Sequence, residues 1–120
     1  MHRLVRDIGL KPAMGILLTA DFIDARKALS YGLVNEVVAQ EKVLDTARAY
    51  ARRILKCAPL AVQATKHCAM QGLKYANAQE AMAAQLDHRF DKLEQMMRSE
   101  DIREGLQAFV DKRKPEWQGR

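Results

Sequence analysis

The chain has 120 residues, of which 48% are hydrophobic and 29% charged, with a formal net charge of +5. This is typical of one soluble globular domain, and no apolar run approaches the roughly 20 residues of a membrane span. The positive charge favours an anionic partner, but the aromatic content of 6% is too low for a base-stacking platform and the cations are spread among 15 acids. We therefore expect no membrane and no nucleic acid as partners. The N-terminal residues do not resemble a secretory signal, so we expect a cytoplasmic protein.

The first 38 residues predict short elements. Helical turns are expected from Arg3 to Ile8, from Pro12 to Leu18, and from Ala25 to Tyr31, the last capped by Asp24 and stopped by Gly32. The segment 33–38 is the one candidate strand, because it is rich in β-branched residues. One short strand cannot make a sheet. It is therefore either an irregular connector or a strand whose partners lie outside this chain.

Helical periodicity then predicts four longer helices, near 41–57, 60–74, 78–97 and 100–111. Pro59 suits the first turn of the second helix, Asn77 and Glu80 form a capping-box pattern before the third, and Ser99 caps the fourth. The fourth helix has an apolar face of Ile102, Leu106, Phe109 and Val110. The predicted fold is all-α, an irregular helical bundle with at most one short strand near 33–38.

The sequence predicts no catalytic residue and no metal site. His67 and Cys68 are adjacent, so on a helix they project about 100° apart. His88 and Asp91 would supply only two ligands, and a structural metal site needs about four. There is no nucleophile elbow and no glycine-rich phosphate loop. Cys57 and Cys68 are expected to be small buried hydrophobic residues in a reducing compartment.

The C-terminal residues are the best candidate for ligand binding. Phe109, Lys112 and Arg113 have the spacing i, i+3, i+4, which brings a ring and two cations to one side of a helix end. Such a cluster suits a purine and its phosphate. The alternative is that the cations stabilise the helix dipole while Phe109 lies in the core. Nearby, Gly105 follows Glu104 inside a predicted helix, where glycine destabilises the helix by about 1 kcal/mol relative to alanine. Its presence indicates that another group comes close to the backbone there, and we expect a packing contact and not a ligand.

Short motifs follow one another along the whole chain, and those of the tail are the most specific. In order, the motifs are Arg3-Leu4-x-Arg6-x-x-Gly9, Ala13-Met14, Leu17 to Asp21, Ile23 to Ala25, Ala28, Gly32 to Val34, Pro59-Leu60, Lys66, Asp101-x-x-Glu104-Gly105, Ala108-Phe109, and Lys112-Arg113-x-Pro115-x-Trp117. Together they resemble the C-terminal half of crotonase-family proteins, the enoyl-CoA hydratases and isomerases. One departure is visible: the family's Leu-Thr-Gly motif has Ala20 in place of glycine, which would strain a left-handed turn.

The resemblance implies a longer parent enzyme. Its N-terminal spiral of ββα units would hold the oxyanion hole and the two catalytic glutamates, all upstream of Arg3-Leu4. Residues 1–38 would be the end of that core, and residues 39–120 a helical region for oligomerisation and CoA clamping. Subunits would form trimers or hexamers. Phe109 and Lys112 match the family residues that contact the adenine and phosphate end of coenzyme A.

The resemblance also sets expectations for function. The substrate of the parent would be an acyl-CoA thioester of fatty acid metabolism, with no covalently bound cofactor. The chain would contribute assembly and CoA binding while being inactive by itself. The alternative is a non-catalytic helical oligomerisation module. Hydratases, isomerases, hydrolases, decarboxylases and ring-closing synthases of the family share this region, so the reaction of the parent stays open.

Overall fold

The computed structural model describes residues 2–120, and within this range the chain forms helices and irregular segments without a strand. This confirms the all-α prediction, and the segment 33–38 is an irregular connector. A short 3-10 turn, Gln40–Lys42, precedes the fourth α-helix. The helices are α1 His2–Ile8, α2 Leu10–Thr19, α3 Ala25–Ser30, α4 Val43–Ile54, α5 Pro59–Gly72, α6 Ala78–Leu86, α7 Asp91–Met97 and α8 Glu100–Val110.

The chain divides into two compact units, one ending at Ala47 and the other running from Arg48 to Arg120. In the first unit α1 packs on α2, and Ala13 is the buried hydrophobic residue of its described part. Ala20 caps the C-terminal end of α2, with φ +54°, and donates its N–H to the Ile16 carbonyl. Ala20, which stands where the family motif has glycine, is therefore left-handed, and its Cβ is crowded by the following carbonyl.

Helix α3 has the ends that its sequence predicts. The Asp24 carboxylate accepts the Lys27 N–H at 2.7 Å. At the other end Gly32 has φ +76°, and the Leu33 N–H donates to the Ala28 carbonyl at 3.0 Å. This is the Schellman arrangement, in which a left-handed glycine satisfies the last carbonyls of a helix.

In the second unit α5 packs mainly on α7, while α6 contacts α5 and α8 contacts α7. Its helix starts follow the sequence prediction. Asn77 accepts the Glu80 N–H at 2.9 Å, and the Ser99 hydroxyl accepts the Ile102 N–H at 3.3 Å. The buried hydrophobic residues of this unit are Leu60, Ala64, Ala84, Phe90 and Ala108.

The prediction of one helix over 78–97 is wrong, because the chain breaks between α6 and α7. His88 has φ +58°, and the Arg89 N–H closes a second Schellman turn on the Ala84 carbonyl at 3.0 Å. The turn buries Phe90 to 4% exposure, with its ring centroid 6.1 Å from that of His67 and 6.2 Å from that of Tyr75. Burying such a side chain stabilises by about 1.5–3 kcal/mol, which offsets a left-handed histidine.

The chain exposes much more surface than a self-sufficient fold of its size. Its accessible area is 10072 Å² at 13.6 kDa, against about 6,600 Å² for a folded monomer and about 7,900 Å² for two separate bodies of these lengths. Twenty large apolar side chains among residues 2–120 are exposed, including Phe22, Leu18 and Phe109. Apolar faces of both units therefore lack a covering partner within the described residues.

Candidate functional site

Helix α8 packs through the face opposite to the one that its apolar residues predict. Asp101 and Ala108 are buried, at 3% and 1% exposure. In contrast, Leu106, Phe109 and Val110 are 67%, 83% and 72% exposed. Phe109 is therefore an exposed ring and not a core residue, which contradicts the alternative in which it is buried.

The segment after α8, residues 111–120, folds back along the helix. At the far end of this tail the Asp101 carboxylate accepts the Gln118 and Gly119 N–H groups at 2.7 and 2.9 Å. The Glu100 and Asp101 N–H groups donate to the Arg120 carbonyl at 2.7 and 3.3 Å. The tail thus satisfies N–H groups at the start of α8, which otherwise have no intrahelical partner.

The near end of the tail is held by Glu104. The Arg113 guanidinium donates to both oxygens of Glu104, at 2.6 and 2.8 Å, and the Glu116 N–H donates to it at 2.7 Å. These hydrogen bonds, first from Arg113 and then from Glu116, lower the pKa of Glu104 from its ordinary 4.5 to about 2. The same pair raises the pKa of Arg113 above its ordinary value.

Arg113 is therefore a structural cation. The sequence placed it with Phe109 and Lys112 as a second cation for a ligand phosphate, and this is corrected by its bidentate bond to Glu104 and its 3.4 Å contact with Asp111. Sequence reasoning missed the pair because the two residues are nine positions apart, outside the i+3 and i+4 spacings of one helix face.

Lys112 occupies a special position at the end of α8. It has φ +53°, its N–H donates to the Phe109 carbonyl at 3.3 Å, and the Arg113 N–H donates to the Ala108 carbonyl at 3.0 Å. Within residues 2–120 the ammonium of Lys112 has no ion-pair partner, and the residue is exposed. An exposed ring and a free ammonium thus stand three residues apart at the C-terminal end of one helix.

The other face of the tail does not suit an anion. A cavity of about 410 Å³ lies there, and carboxylates dominate its lining. A phosphate would be repelled by these acids, since only one of the lining side chains is cationic and that one is already paired. The cavity is lined by Glu100, Asp101, Glu104, Arg113, Glu116 and Gln118.

His67 and His88 each pair with a carboxylate of α7. His67 Nε2 lies 3.0 Å from Asp91, and His88 Nδ1 lies 2.8 Å from Glu94. His88 and Asp91 thus have different partners and do not form a ligand pair. No group of three or more potential metal ligands comes together in residues 2–120.

The two cysteines differ in exposure. Cys68 is half-buried, but Cys57 is exposed at the end of α4, so the expectation of a buried thiol is wrong for it. The thiol of Cys57 lies 3.7 Å from the Arg53 carbonyl. Its exposure follows from its place in the turn between α4 and α5.

Comparison with known proteins identifies the family. The family model described as "Enoyl-CoA hydratase/isomerase" matches residues 1–120. The chain is 39% identical to (E)-benzylidenesuccinyl-CoA hydratase of Thauera aromatica over 117 residues, which is 97% of this chain and 43% of that protein. It is 37% identical to mevalonyl-coenzyme A hydratase of Aspergillus fumigatus over 117 residues, 98% of this chain and 42% of that protein. The chain therefore belongs to the enoyl-CoA hydratase/isomerase family, as the sequence motifs predicted.

Solved structures agree with this assignment. The crystal structure of an enoyl-CoA hydratase/isomerase from Mycobacterium paratuberculosis superposes with a TM-score of 0.87 at 33% identity, covering 99% of this chain and 44% of that one. The chain thus spans less than half the length of the relatives that it matches. Among the helices formed by residues 2–120, none has the length and hydropathy needed to cross a bilayer.

Proposed function

We propose that this chain is the coenzyme A-clamping and subunit-packing region of an enzyme that processes acyl-CoA thioesters. The observation that carries the proposal is the exposed pair at the end of α8: Phe109 is 83% exposed, and Lys112 has no ion-pair partner among the residues that the structure describes. The names of two relatives, both CoA hydratases, support a CoA thioester as the substrate class. In this role the Phe109 ring stacks on the adenine, and Lys112 contacts a phosphate.

The chemistry of each group fits this assignment. An aromatic face accepts a purine by stacking, and an ammonium makes a charge-assisted hydrogen bond to phosphate oxygens. Because Arg113 is held by Glu104, we assign the phosphate contact to Lys112, which stands three residues after Phe109. Both groups lie on exposed surface, so a neighbouring subunit's thioester reaches them without unpacking α8.

The exposed apolar faces fit a packing role. Large side chains such as Leu18, Phe22 and Leu86 are 76%, 104% and 73% exposed, and exposed apolar area of this extent marks a protein interface. We propose that these faces cover the remainder of the enzyme and neighbouring subunits in a cytoplasmic trimer or hexamer. The oxyanion hole and the catalytic glutamates that the family resemblance implies lie upstream of Arg3, and the chain alone is inactive.

A direct test is an assay of the purified 120-residue chain with crotonyl-CoA. We expect no turnover above the background rate together with measurable binding of coenzyme A by calorimetry. Turnover comparable to that of a whole hydratase would contradict the proposal that the catalytic groups lie upstream of Arg3.

The same exposed faces favour a second candidate, a helical module that only oligomerises. This candidate requires self-association in sedimentation equilibrium but no affinity for coenzyme A. The two functions therefore separate on the binding measurement: saturable coenzyme A binding that is lost in Lys112→Ala supports the clamp, and its absence supports the module.

A further inference from the structure

The backbone at Lys112 is in a conformation that lysine rarely adopts. Its φ of +53° lies in the left-handed region, where a Cβ is crowded by the following carbonyl and glycine is the usual residue. Such a conformation persists only when the surrounding structure determines it. Contacts on both sides of residue 112 must therefore hold it in this conformation.

On the helix side, the Lys112 N–H donates to the Phe109 carbonyl at 3.3 Å and the Arg113 N–H donates to the Ala108 carbonyl at 3.0 Å, the Schellman pair that accompanies a left-handed residue. On the tail side a second set of hydrogen bonds holds the Arg113 side chain. Arg113 donates two short hydrogen bonds to Glu104, and Glu104 also accepts the Glu116 N–H at 2.7 Å. Charge-assisted bidentate hydrogen bonds of this kind are shorter and stronger than neutral ones and fix the orientation of both groups.

Glu104 of α8 thus holds two points of the tail, the Arg113 side chain and the backbone of Glu116. The residue before Lys112 is fixed as well, because Asp111 accepts from Gln107 at 2.9 Å and contacts Arg113 at 3.4 Å. The Asp111 and Glu104 carboxylates are therefore both paired with other groups. Within residues 2–120 the Lys112 ammonium has no ion-pair partner, and it stands on a segment whose backbone is held at several points.

We infer that Glu104 is a positioning residue for the coenzyme A contact: by holding Arg113 and the Glu116 N–H, it keeps Lys112 left-handed at the end of α8 and ready for a phosphate. The inference rests on the proposed function and deepens it. A ligand that meets a pre-formed backbone does not have to order it, so affinity depends on Glu104 although this carboxylate repels phosphate by its own charge.

The experiment is a double-mutant cycle on coenzyme A binding, measured by calorimetry on the 120-residue chain with Glu104→Ala, Lys112→Ala and the double variant. We expect Glu104→Ala to raise Kd about tenfold, the factor for ordering one residue's backbone, and to change Kd less than twofold once Lys112 is already alanine. Equal losses in both backgrounds would mean a merely structural role and would overturn the inference.

Glu100→Ala is the matched control. Glu100 also pairs with an arginine of the tail, Arg120, whose Nε lies 3.1 Å away, far along α8 from Lys112. Its removal is expected to leave Kd unchanged. Glu104→Gln keeps one side-chain oxygen that can accept from Arg113 and the Glu116 N–H, so it should retain part of the affinity that Glu104→Ala loses, and it serves as the test variant if Glu104→Ala does not fold.

A second readout does not depend on ligand. The three-bond coupling across φ of Lys112, measured by NMR, should report a left-handed residue in the unsubstituted chain and a different value in Glu104→Ala. An unchanged coupling would overturn the inference. Failure of the proposed function has a different signature, namely that Lys112→Ala leaves Kd for coenzyme A unaltered.

Discussion

Trp117 lies directly over Gly105 of α8. A Cβ atom at residue 105 would come within 3.2 Å of Cη2 and 3.4 Å of Cζ3 of the indole. The indole Nε1 in turn donates to the Lys56 carbonyl at 2.9 Å. The glycine inside this helix thus has a packing reason, as its sequence context favoured, because the tail needs the space to lie flat along α8.

This contact predicts opposite outcomes for two glycine-to-alanine substitutions in helices. Gly72 of α5 has nothing within 4 Å of an added Cβ, so Gly72→Ala should raise the free energy of unfolding by about 0.5–1 kcal/mol through reduced chain entropy. Gly105→Ala should gain less than this or lose stability, because the Trp117 ring has to move. Urea unfolding of both variants, followed by the fluorescence of the single tryptophan, makes the comparison. An equal gain at both positions would contradict the packing.

The Glu104–Arg113 pair predicts acid sensitivity of the tail. The pKa of Glu104 falls from 4.5 unfolded to about 2 folded, so its stabilisation is complete above about pH 4.5 and is lost as the pH falls through about 2. The Arg113 side of this pair also contacts the Asp111 carboxylate at 3.4 Å. Tryptophan fluorescence should therefore report release of the tail in this window, and in Glu104→Gln the transition should shift or weaken. An identical acid transition in both proteins would refute the role of Glu104.

The left-handed Ala20 predicts a stabilising substitution. The left-handed conformation of alanine destabilises the folded state by about 1–2 kcal/mol. Glycine removes this strain, but its greater freedom stabilises the unfolded chain by about 0.4–1 kcal/mol. Ala20→Gly should therefore raise the free energy of unfolding by about 0.5–1 kcal/mol. Ala28→Gly, in the right-handed interior of α3, is the control and should lower it by a similar amount. Thermal unfolding of both variants checks the signs, and a loss in each would contradict the strain at Ala20.

Local signals were sufficient for most of the helix ends. Asp24, Asn77 and Ser99 cap the helices that their side chains predict, and Gly32 closes α3 with positive φ. These features depend on hydrogen bonds that span no more than five residues. The periodicity over 78–97, in contrast, concealed a break, because the turn at His88 is favoured by the burial of Phe90 against a different helix.

The candidate site was predictable only in part. The spacing of Phe109 and Lys112 identified the helix end, but it also included Arg113, whose partner Glu104 lies nine residues back. The orientation of α8 could not be read from its apolar stripe either. That stripe indicates a buried face, yet within the described residues the tail covers the side with Asp101 and Ala108 instead.

The exposed apolar faces predict self-association. Met82 and Leu86 of α6 are 65% and 73% exposed and stand four residues apart on one side of the helix. Sedimentation equilibrium should show a concentration-dependent mass, and Met82→Glu with Leu86→Glu should weaken the association. Since both side chains are mostly exposed, the monomer's free energy of unfolding should change by no more than about 0.5 kcal/mol per site. A monomer at every concentration would count against a packing role.

The most direct test of the clamp is the Kd for coenzyme A of Lys112→Ala compared with Lys114→Ala, measured at low ionic strength. Both substitutions remove one exposed ammonium from the same tail. A charge-assisted phosphate contact contributes about 1.5–3 kcal/mol, so Lys112→Ala should raise Kd by roughly 10- to 150-fold, whereas Lys114→Ala should raise it less than about threefold. Equal effects of the two substitutions, or none from Lys112→Ala, would contradict the assignment of Lys112 to the coenzyme A phosphate.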